Sequence, residues 1–423
     1  MPPVPKSSSQ LKASLQSAVS QWQRFLAVVG PGLVVMLADT DAGSIITAAQ
    51  SGAQWGYKLL VVQFILIPIL YIVQELTVRL GLVTGKGHGE LIRDTFGLPW
   101  ALLSVGTLAL ACVGALLTEL SGLAGVGLLF GVPTWLTMLV VAGGLIFMVW
   151  TGSYRSVERM AIVLGLFELV FFLVAWQSHP SAEALLAGMT HAPLGNSSYL
   201  YLLAANIGAV IMPWMIFYQQ SAVLDKGLSI ADLGPARWDT AIGSVITQAI
   251  MAGVLIVTAA TIGTSNPNAR LNTVQQIAEA ITPFVGDFNG HLLFALGMSG
   301  AALVSAIVVS LTAAWGAGEV FGFKRSLKHH PKEAPWFYGI FTVSVLLAAA
   351  LVASNINLVA MSVAVEVMNA LLLPIVLGFL YALARRALPA QYRLRGLYKT
   401  IVLLLVVMTS CFGVYGALSG IWG

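Results

Sequence analysis

The sequence predicts an all-α integral membrane protein of eleven transmembrane helices, with the first and the sixth helix broken. Three observations lead to this prediction. The 423-residue chain is 58% apolar and only 9% charged, and its mean hydropathy of +0.88 means more apolar surface than a water-soluble domain of this size can bury. Eleven segments are long and apolar enough to cross a bilayer. Charged or helix-breaking residues interrupt two of those segments, the first and the sixth.

The predicted spans follow one another along the chain, and no soluble domain is expected. A helix needs about 20 mainly apolar residues to cross the bilayer. This criterion places the spans at residues 25–51, 57–79, 99–130, 134–152, 158–177, 198–223, 239–263, 289–316, 336–353, 358–384 and 399–421. Residues 1–24 are expected to be a cytoplasmic polar tail, because they lack the apolar core of a signal peptide. Residues 25–423 are expected to form a single transmembrane domain.

The basic residues predict the orientation of the spans. With residues 1–24 on the cytoplasmic side, 19 of the 21 Lys and Arg residues fall on that side, and only Lys58 and Arg270 fall outside, as the positive-inside rule requires. We therefore expect a multi-pass protein of the plasma (inner) membrane, with a cytoplasmic N-terminus and an external C-terminus. The net charge of +4 follows from this topology, so nucleic-acid binding is not expected. Residues 81–97 are expected to be a cytoplasmic linker with a short polar helix.

The first span carries two carboxylates in its middle. Asp39 and Asp41 are followed by Gly43 and Ser44, whereas the flanking residues are typical of a membrane helix. A charged side chain at this depth costs at least a few kcal/mol, so it normally faces a cavity or a partner. Two interpretations are open. The span is either a broken helix that lines an ion site, or a kinked helix in which one carboxylate accepts a hydrogen bond from the backbone.

The sixth span supplies a second interruption. Pro213 lacks a backbone N–H and clashes with the carbonyl of Ala209, so the helix is kinked or unwound there. The freed carbonyl groups then need partners, and a bound cation is one such partner. Interrupted helices at corresponding places in two halves of a chain indicate a transport site at the bilayer midplane. Spans one and six are five apart, which is what a five-plus-five inverted repeat with one extra helix gives.

Two motifs at these interruptions resemble those of the NRAMP family of divalent metal transporters. Asp41-Ala42-Gly43-Ser44 is similar to the family's Asp-Pro-Gly-Asn motif, and Ala209-Val210-Ile211-Met212-Pro213-Trp214 is similar to its Ala-x-x-Met-Pro-His motif. Gly30-Pro31-Gly32 and the run from Leu80 to Lys86 add to the resemblance, which covers about residues 25 to 421. It implies a LeuT-type fold and import of a divalent metal ion by alternating access. It also implies a site made by Asp41, Ser44, the carbonyl of Ala209 and the sulfur of Met212.

The chemistry of these residues favours Fe²⁺ or Mn²⁺ as the transported ion. Asp41 offsets part of the charge of a divalent ion, and the Met212 thioether is a soft ligand that does nothing for Mg²⁺ or Ca²⁺. Mg²⁺ is the alternative. Ser44 is a shorter and weaker ligand than the Asn of the motif, and the run from Trp214 to Ser221 resembles the family's divergent, magnesium-transporting relatives.

Other buried carboxylates are candidates for supporting roles. Glu366 in the tenth span stands where the family often has a Gln that reaches the metal, so it either completes the ion's shell, takes up a proton, or pairs within the helix bundle. Asp39 is a supporting carboxylate of the site, a charge in the outer vestibule, or an Asp hydrogen-bonded to a nearby amide. Glu75 and Glu168 are interpreted as inter-helical hydrogen-bonding groups.

Only weak coupling to protons is expected. Glu119 in the third span resembles the acidic residue on the family's proton route. However, Leu116 stands where the companion Asp is expected, and Trp214 replaces the His of the sixth-helix motif. These two replacements remove groups that carry protons in the family.

Three other classes of function fit the sequence less well than a metal transporter. The chain shows no metalloprotease or nucleophile-elbow motif, so an enzyme is not expected. An organic-solute transporter of the same fold would offer helix N-termini to a substrate carboxylate, which Asp39 and Asp41 would repel. Two broken helices in a pseudo-repeat favour alternating access over a channel. Apart from the transported ion no cofactor is expected, and the chain is expected to lie in the lipid bilayer as a monomer.

Overall fold

Eighteen α-helices account for most of the described part of the chain. The computed structural model describes residues 25, 27–263, 269–280, 282–354 and 358–422, so the predicted tail at residues 1–24 lies outside the described residues. The helices are α1 (Pro31–Asp39), α2 (Ala42–Trp55), α3 (Leu60–Thr84), α4 (His88–Phe96), α5 (Leu98–Leu129), α6 (Thr134–Thr151), α7 (Tyr154–Gly165), α8 (Val170–Gln177), α9 (Ala182–Met189), α10 (Ser197–Val210), α11 (Pro213–Asp225), α12 (Leu233–Thr258), α13 (Val274–Glu279), α14 (Thr282–Val285), α15 (Asp287–Phe321), α16 (Pro335–Ala353), α17 (Leu358–Arg386) and α18 (Gly396–Trp422).

The prediction of an all-α membrane protein is confirmed, although the number eleven stays a prediction. Among the described residues, ten helical runs are long and apolar enough to cross a membrane. One of them, Ala42–Thr84, has 43 residues, and at about 1.5 Å per residue it is roughly twice as long as the apolar core of a bilayer is thick. A 3₁₀ turn at Gly56–Leu59 divides this run into α2 and α3, at the boundary between the first and second predicted spans.

Both predicted helix breaks are present. In the first span α1 ends at Asp39 and α2 begins at Ala42, with the backbone of Asp41 extended. The Asp41 side chain caps α2, as Asp commonly does at a helix N-terminus. In the sixth span α10 ends at Val210 and α11 begins at Pro213. Proline is tolerated at this first helical position because its missing N–H would have no partner within the helix.

The broken sixth span is the most deeply buried of the ten runs. Within Ser197–Asp225, 94% of the apolar window is buried inside the protein. Its first half, α10, packs against α17 and α18, while its second half, α11, packs against α3 and α15. Both breaks therefore lie in the interior of the bundle, away from lipid, where irregular backbone is tolerated.

The start of α1 is fixed by a carboxylate from another helix. Asp239 of α12 accepts hydrogen bonds from the backbone N–H groups of Gly30, Gly32 and Leu33, at 3.3, 2.8 and 3.2 Å. These are groups that a helix N-terminus leaves without partners, and a negative charge there is favourable. Lys226, just after α11, adds a hydrogen bond to the carbonyl of Val29 at 2.6 Å and an ion pair with Glu158 at 2.9 Å.

The predicted linker helix, α4, is attached to the ends of α11 and α15. Glu319 of α15 accepts a hydrogen bond from the N–H of Gly89 at 2.8 Å, and His88 Nδ1 lies 3.0 Å from Gln220 Oε1 of α11. Burial lowers the pKa of the His88 imidazole to about 4, so this ring is neutral at pH 7. The attachment is thus made by polar groups and does not depend on a charged histidine.

Candidate functional site

The two helix breaks meet at the centre of the bundle. The Ser44 hydroxyl of α2 donates a hydrogen bond to the carbonyl oxygen of Ala209 in α10, at 3.0 Å. The break after Val210 leaves this carbonyl without its normal partner within the helix, so Ser44 replaces that partner. The structure therefore brings together one predicted residue from each break.

Asp41 lies beside this bond and keeps one oxygen free. Its Oδ1 accepts a hydrogen bond from the N–H of Ser44 at 2.6 Å. Its Oδ2 is buried and has no hydrogen-bond partner among the described residues. The side chain is fully buried, and leaving a carboxylate oxygen without a partner in such a place costs a few kcal/mol. This oxygen is therefore available for a cation.

Glu119 supports the start of α2. Its Oε2 accepts a hydrogen bond from the N–H of Ala42 at 3.0 Å, and its Oε1 accepts one from the Thr118 hydroxyl at 3.3 Å. Its carboxyl group also lies close to that of Asp41. A proline at position 42, as in the motif that this sequence resembles, has no N–H to donate. The hydrogen bond to Glu119 therefore depends on position 42 not being a proline.

Glu366 of α17 reaches the same break from the other side. Its Oε2 accepts a hydrogen bond from Asn369 at 3.0 Å, while its Oε1 has no partner among the described residues. A side chain at Gly43 would overlap Glu366 Oε1, and one at Gly208 would overlap the Glu366 backbone carbonyl. Glycine is thus required at position 208 for the α17 backbone to approach, whereas a side chain at position 43 would displace the Glu366 carboxyl group.

Met212 is the residue just before α11. Its backbone is extended, with φ −91° and ψ 142°, and its side chain is fully buried. Trp214, one of the largest fully buried side chains, follows it, and the Trp214 indole N–H has no partner in the described part of the chain. Met212 therefore lies at the second break, in the same stretch of chain as the Ala209 carbonyl.

A metal ion in this region would be held by ligands of mixed chemistry. Within the described ranges, no three His, Cys, Asp or Glu side chains are arranged as a metal site. The groups at the breaks are a carboxylate, a hydroxyl, a backbone carbonyl and a thioether. All four residues are at most 1% exposed, so the site is occluded from both sides of the membrane.

Asp39 and Glu168 lie on the α1 side of the first break. Asp39 Oδ2 accepts a hydrogen bond from the Thr247 hydroxyl of α12 at 3.5 Å. Glu168, in a 3₁₀ turn between α7 and α8, interacts with Thr40 and with the charges of Asp41 and Asp39. Sequence reasoning missed the position of Glu168, since its segment was predicted to be an uninterrupted span. The only feature of the sequence that points to this position is a carboxylate within an otherwise apolar segment.

The five buried carboxylates around the first break carry no compensating charge. Asp39, Asp41, Glu119, Glu168 and Glu366 are each at most 1% exposed, and none takes part in an ion pair among the described residues. Glu75, by contrast, pairs with Arg79 at 2.6 Å and with Arg237 at 2.7 Å. Burying several anionic groups without counter-charge is costly, so the region is suited to a cation.

A family model described as natural resistance-associated macrophage protein-like matches residues 32–419. The chain belongs to the Nramp family. Among its relatives, the divalent metal cation transporter MntH of Bradyrhizobium diazoefficiens is 29% identical over 327 residues, which cover 73% of this chain and 72% of the relative. The homologues named in the comparison are divalent metal transporters, so the prediction that the chain is not an enzyme is confirmed.

Solved structures confirm the LeuT-type fold. A crystal structure of the Eremococcus coleocola manganese transporter, in complex with an aromatic bis-isothiourea substituted compound, superposes with a TM-score of 0.77 at 20% identity over 99% of this chain and 89% of that one. The transporter MhsT in complex with L-phenylalanine gives a TM-score of 0.58 at 15% identity, over 92% of this chain and 98% of that one. The organic-solute alternative thus shares the fold with this chain, whereas the divalent metal transporters share its family.

The approach of α17 to the first break gives a prediction. Gly43→Ala would overlap Glu366 and is expected to abolish uptake, while overpacking lowers stability by about 1–3 kcal/mol. Gly378→Ala, on α17 itself, is the matched control, because nothing lies within 4 Å of an added side chain there. Radiolabelled Mn²⁺ uptake into proteoliposomes, together with thermal unfolding in detergent, measures both effects. Equal uptake by the two variants would contradict this account of α17.

Proposed function

We propose that the protein imports divalent transition-metal ions, Mn²⁺ or Fe²⁺, by alternating access across the two helix breaks. The observation that carries the proposal is the free, buried oxygen of Asp41 beside the Ser44–Ala209 hydrogen bond. When the ion binds, Asp41 Oδ2 supplies a negative charge. The Ala209 carbonyl exchanges its bond to Ser44 for a bond to the ion, and the Met212 sulfur is the soft ligand.

Occlusion of the site supports alternating access. Since the candidate ligands are buried, the ion enters and leaves only when the packing around a break opens. Glu366 and the backbone of α17 cover the breaks on one side, and α1 is held on the other by Asp239 and Lys226. Separation of α17 from α10, or of α1 from its partners, would expose the site to one compartment at a time.

The choice of transition metal over Mg²⁺ depends on Met212. A thioether contributes to binding of Fe²⁺, Mn²⁺ and Cd²⁺ but not of Mg²⁺ or Ca²⁺, which prefer oxygen. The relatives named as manganese or divalent metal transporters agree with this choice. Mg²⁺ remains the second candidate, because Ser44 and the surrounding carboxylates supply oxygen ligands only.

We expect only weak coupling of metal transport to protons. Trp214 has no proton to exchange at physiological pH, since its indole nitrogen is a donor only. Leu116 stands where a second carboxylate was expected, and Glu119 is engaged in capping α2. Two of the groups linked to proton movement in the motifs that this sequence resembles are therefore absent, and the third, Glu119, is engaged at the start of α2.

The basic residues of the described helices support the predicted orientation. At one end of the bundle Glu75 pairs with Arg79 and Arg237, and Arg79 also donates a hydrogen bond to the carbonyl of Tyr392. Arg325 pairs with Glu90 of the linker helix at 2.5 Å. We assign this end to the cytoplasm, which gives an inner-membrane protein with an external C-terminus, and we propose that it acts as a monomer.

Substitution at each break tests the proposed ligands. Asp41→Ala is expected to abolish uptake, because the charged ligand is lost. Met212→Ala should lower the apparent affinity for Mn²⁺, Fe²⁺ and Cd²⁺ in the uptake assay by about tenfold, equivalent to ~1.4 kcal/mol. Any Mg²⁺ uptake should stay unchanged. The matched control is Met408→Ala on α18, where the side chain is exposed at 53%. A competition series with Mn²⁺, Fe²⁺, Cd²⁺, Mg²⁺ and Ca²⁺ in one liposome assay measures all of these.

Three outcomes would refute these assignments or the proposal itself. Retained Mn²⁺ uptake by the Asp41→Ala variant would remove Asp41 from the site. If the Met212→Ala variant lost Mn²⁺ uptake and Mg²⁺ uptake equally, Met212 would not be the basis for selectivity. Amino-acid uptake without any metal uptake would replace the proposal by the organic-solute alternative.

Proton movement is measured in the same liposomes with a pH-sensitive dye inside. We expect Mn²⁺ uptake to change the internal pH little or not at all, because the proton-carrying groups named above are missing. Lowering the external pH should accordingly not drive uptake. A clear metal-dependent proton flux that disappears in the Glu119→Gln variant would show that Glu119 carries protons in addition to capping α2.

A further inference from the structure

A pair of carboxylates on the α1 side of the first break is not explained by the site described above. Asp39 is the last residue of α1, and Glu168 lies in the 3₁₀ turn Leu166–Leu169. Their exposures are 1% and 0%. Asp39 Oδ1 and both oxygens of Glu168 lack a well-formed hydrogen bond within the described residues. Buried polar groups are almost always satisfied, so three carboxylate oxygens without a well-formed hydrogen bond indicate a missing partner.

Two threonine hydroxyls lie against this pair. Thr247 of α12 donates to Asp39 Oδ2 at 3.5 Å, and its hydroxyl lies 2.6 Å from that of Thr40. Thr40 is in turn the polar side chain that Glu168 faces. Four side chains from the end of α1, the 3₁₀ turn and α12 thus present oxygen atoms to one another.

The charge and chemistry of these donors select a class of ligand. No Lys, Arg or His forms an ion pair with either carboxylate in the described part of the chain. Two carboxylates balance the charge of one divalent ion, whereas an alkali ion would leave one negative charge buried. All donors are oxygen, which suits hard divalent ions such as Mg²⁺, Ca²⁺ and Mn²⁺.

We propose that Asp39, Glu168, Thr40 and Thr247 form a second binding site, which takes a hard divalent cation. It rests on the proposed function, because it lies next to Asp41 and would receive the same transported ion. Glu168 interacts electrostatically with both Asp41 and Asp39, so an ion that leaves Asp41 along α1 meets this second set of oxygens next. Lacking a thioether, the second site binds Ca²⁺ and Mg²⁺ as well as Mn²⁺.

The stoichiometry of Mn²⁺ binding to the purified full-length protein in detergent tests this proposal. The wild-type protein is expected to bind two Mn²⁺ per chain at equilibrium, of which an excess of Ca²⁺ displaces one. Glu168→Gln keeps the shape of the side chain but removes its charge, and should bind one Mn²⁺ that Ca²⁺ does not displace. The matched control is Glu183→Gln on the exposed surface of α9, which should keep both.

Several results would overturn the second site. One bound Mn²⁺ in the wild-type protein, or two in the Glu168→Gln variant, would do so. If sodium chloride, but not choline chloride, abolished the second equivalent, the occupant would be an alkali ion and the assignment to a divalent ion would be wrong. If the Glu168→Gln variant binds no metal, the stoichiometry of Mn²⁺ binding is measured with the Asp39→Asn variant. One Mn²⁺ per chain bound by the Asp39→Asn variant supports the second site, and two refute it.

Uptake measurements keep this result separate from the proposed function. Wild-type protein that transports no divalent metal refutes the proposed function, whatever the stoichiometry of binding. Metal uptake by protein that binds a single Mn²⁺ refutes the second site alone.

Discussion

The hydrogen bond between Ser44 and the Ala209 carbonyl is the interaction on which the centre of this protein depends. Each of the two broken helices leaves backbone groups without their usual partners, and no water in the bilayer core can satisfy them. Ser44 joins one break to the other at 3.0 Å, and Asp41 caps the helix that carries Ser44. A cation that binds the Ala209 carbonyl competes with a hydrogen bond that this oxygen already accepts, so we expect ion binding and the geometry of the breaks to be coupled.

The carboxylates around this bond set the electrostatic character of the region. Five of them are buried without an ion pair among the described residues, whereas Glu75 near the end of α3 has two arginine partners. The protein therefore separates structural ion pairs at the end of the bundle from carboxyl groups without a positive partner at its centre. Such groups are costly to bury in the charged form unless a cation is present, which is consistent with a protein that binds and releases cations.

The sequence was sufficient to predict the membrane class and both helix breaks, whereas the ligand roles of the residues at the breaks stay predictions. Asp41, Gly43 and Pro213 act through local backbone chemistry, which is readable from one stretch of chain. Contacts that join distant segments could not be predicted from the sequence. Glu168 interacts with Thr40, in keeping with its interpretation as an inter-helical hydrogen-bonding group, but its position beside the first break was not predicted. Glu119 accepts a hydrogen bond from the N–H of Ala42 at the start of α2, which was not predicted either, and its place on a proton route stays a prediction. Neither contact leaves a periodic or compositional signal.

A structure determined with bound Mn²⁺, using the anomalous scattering of the metal, tests the central claim most directly. The account predicts an anomalous peak next to Asp41 Oδ2, the Ala209 carbonyl and the Met212 sulfur, with the Ser44–Ala209 hydrogen bond broken or lengthened. The absence of an anomalous peak at this position in protein that binds Mn²⁺ elsewhere, with the Ser44–Ala209 bond intact, would contradict it.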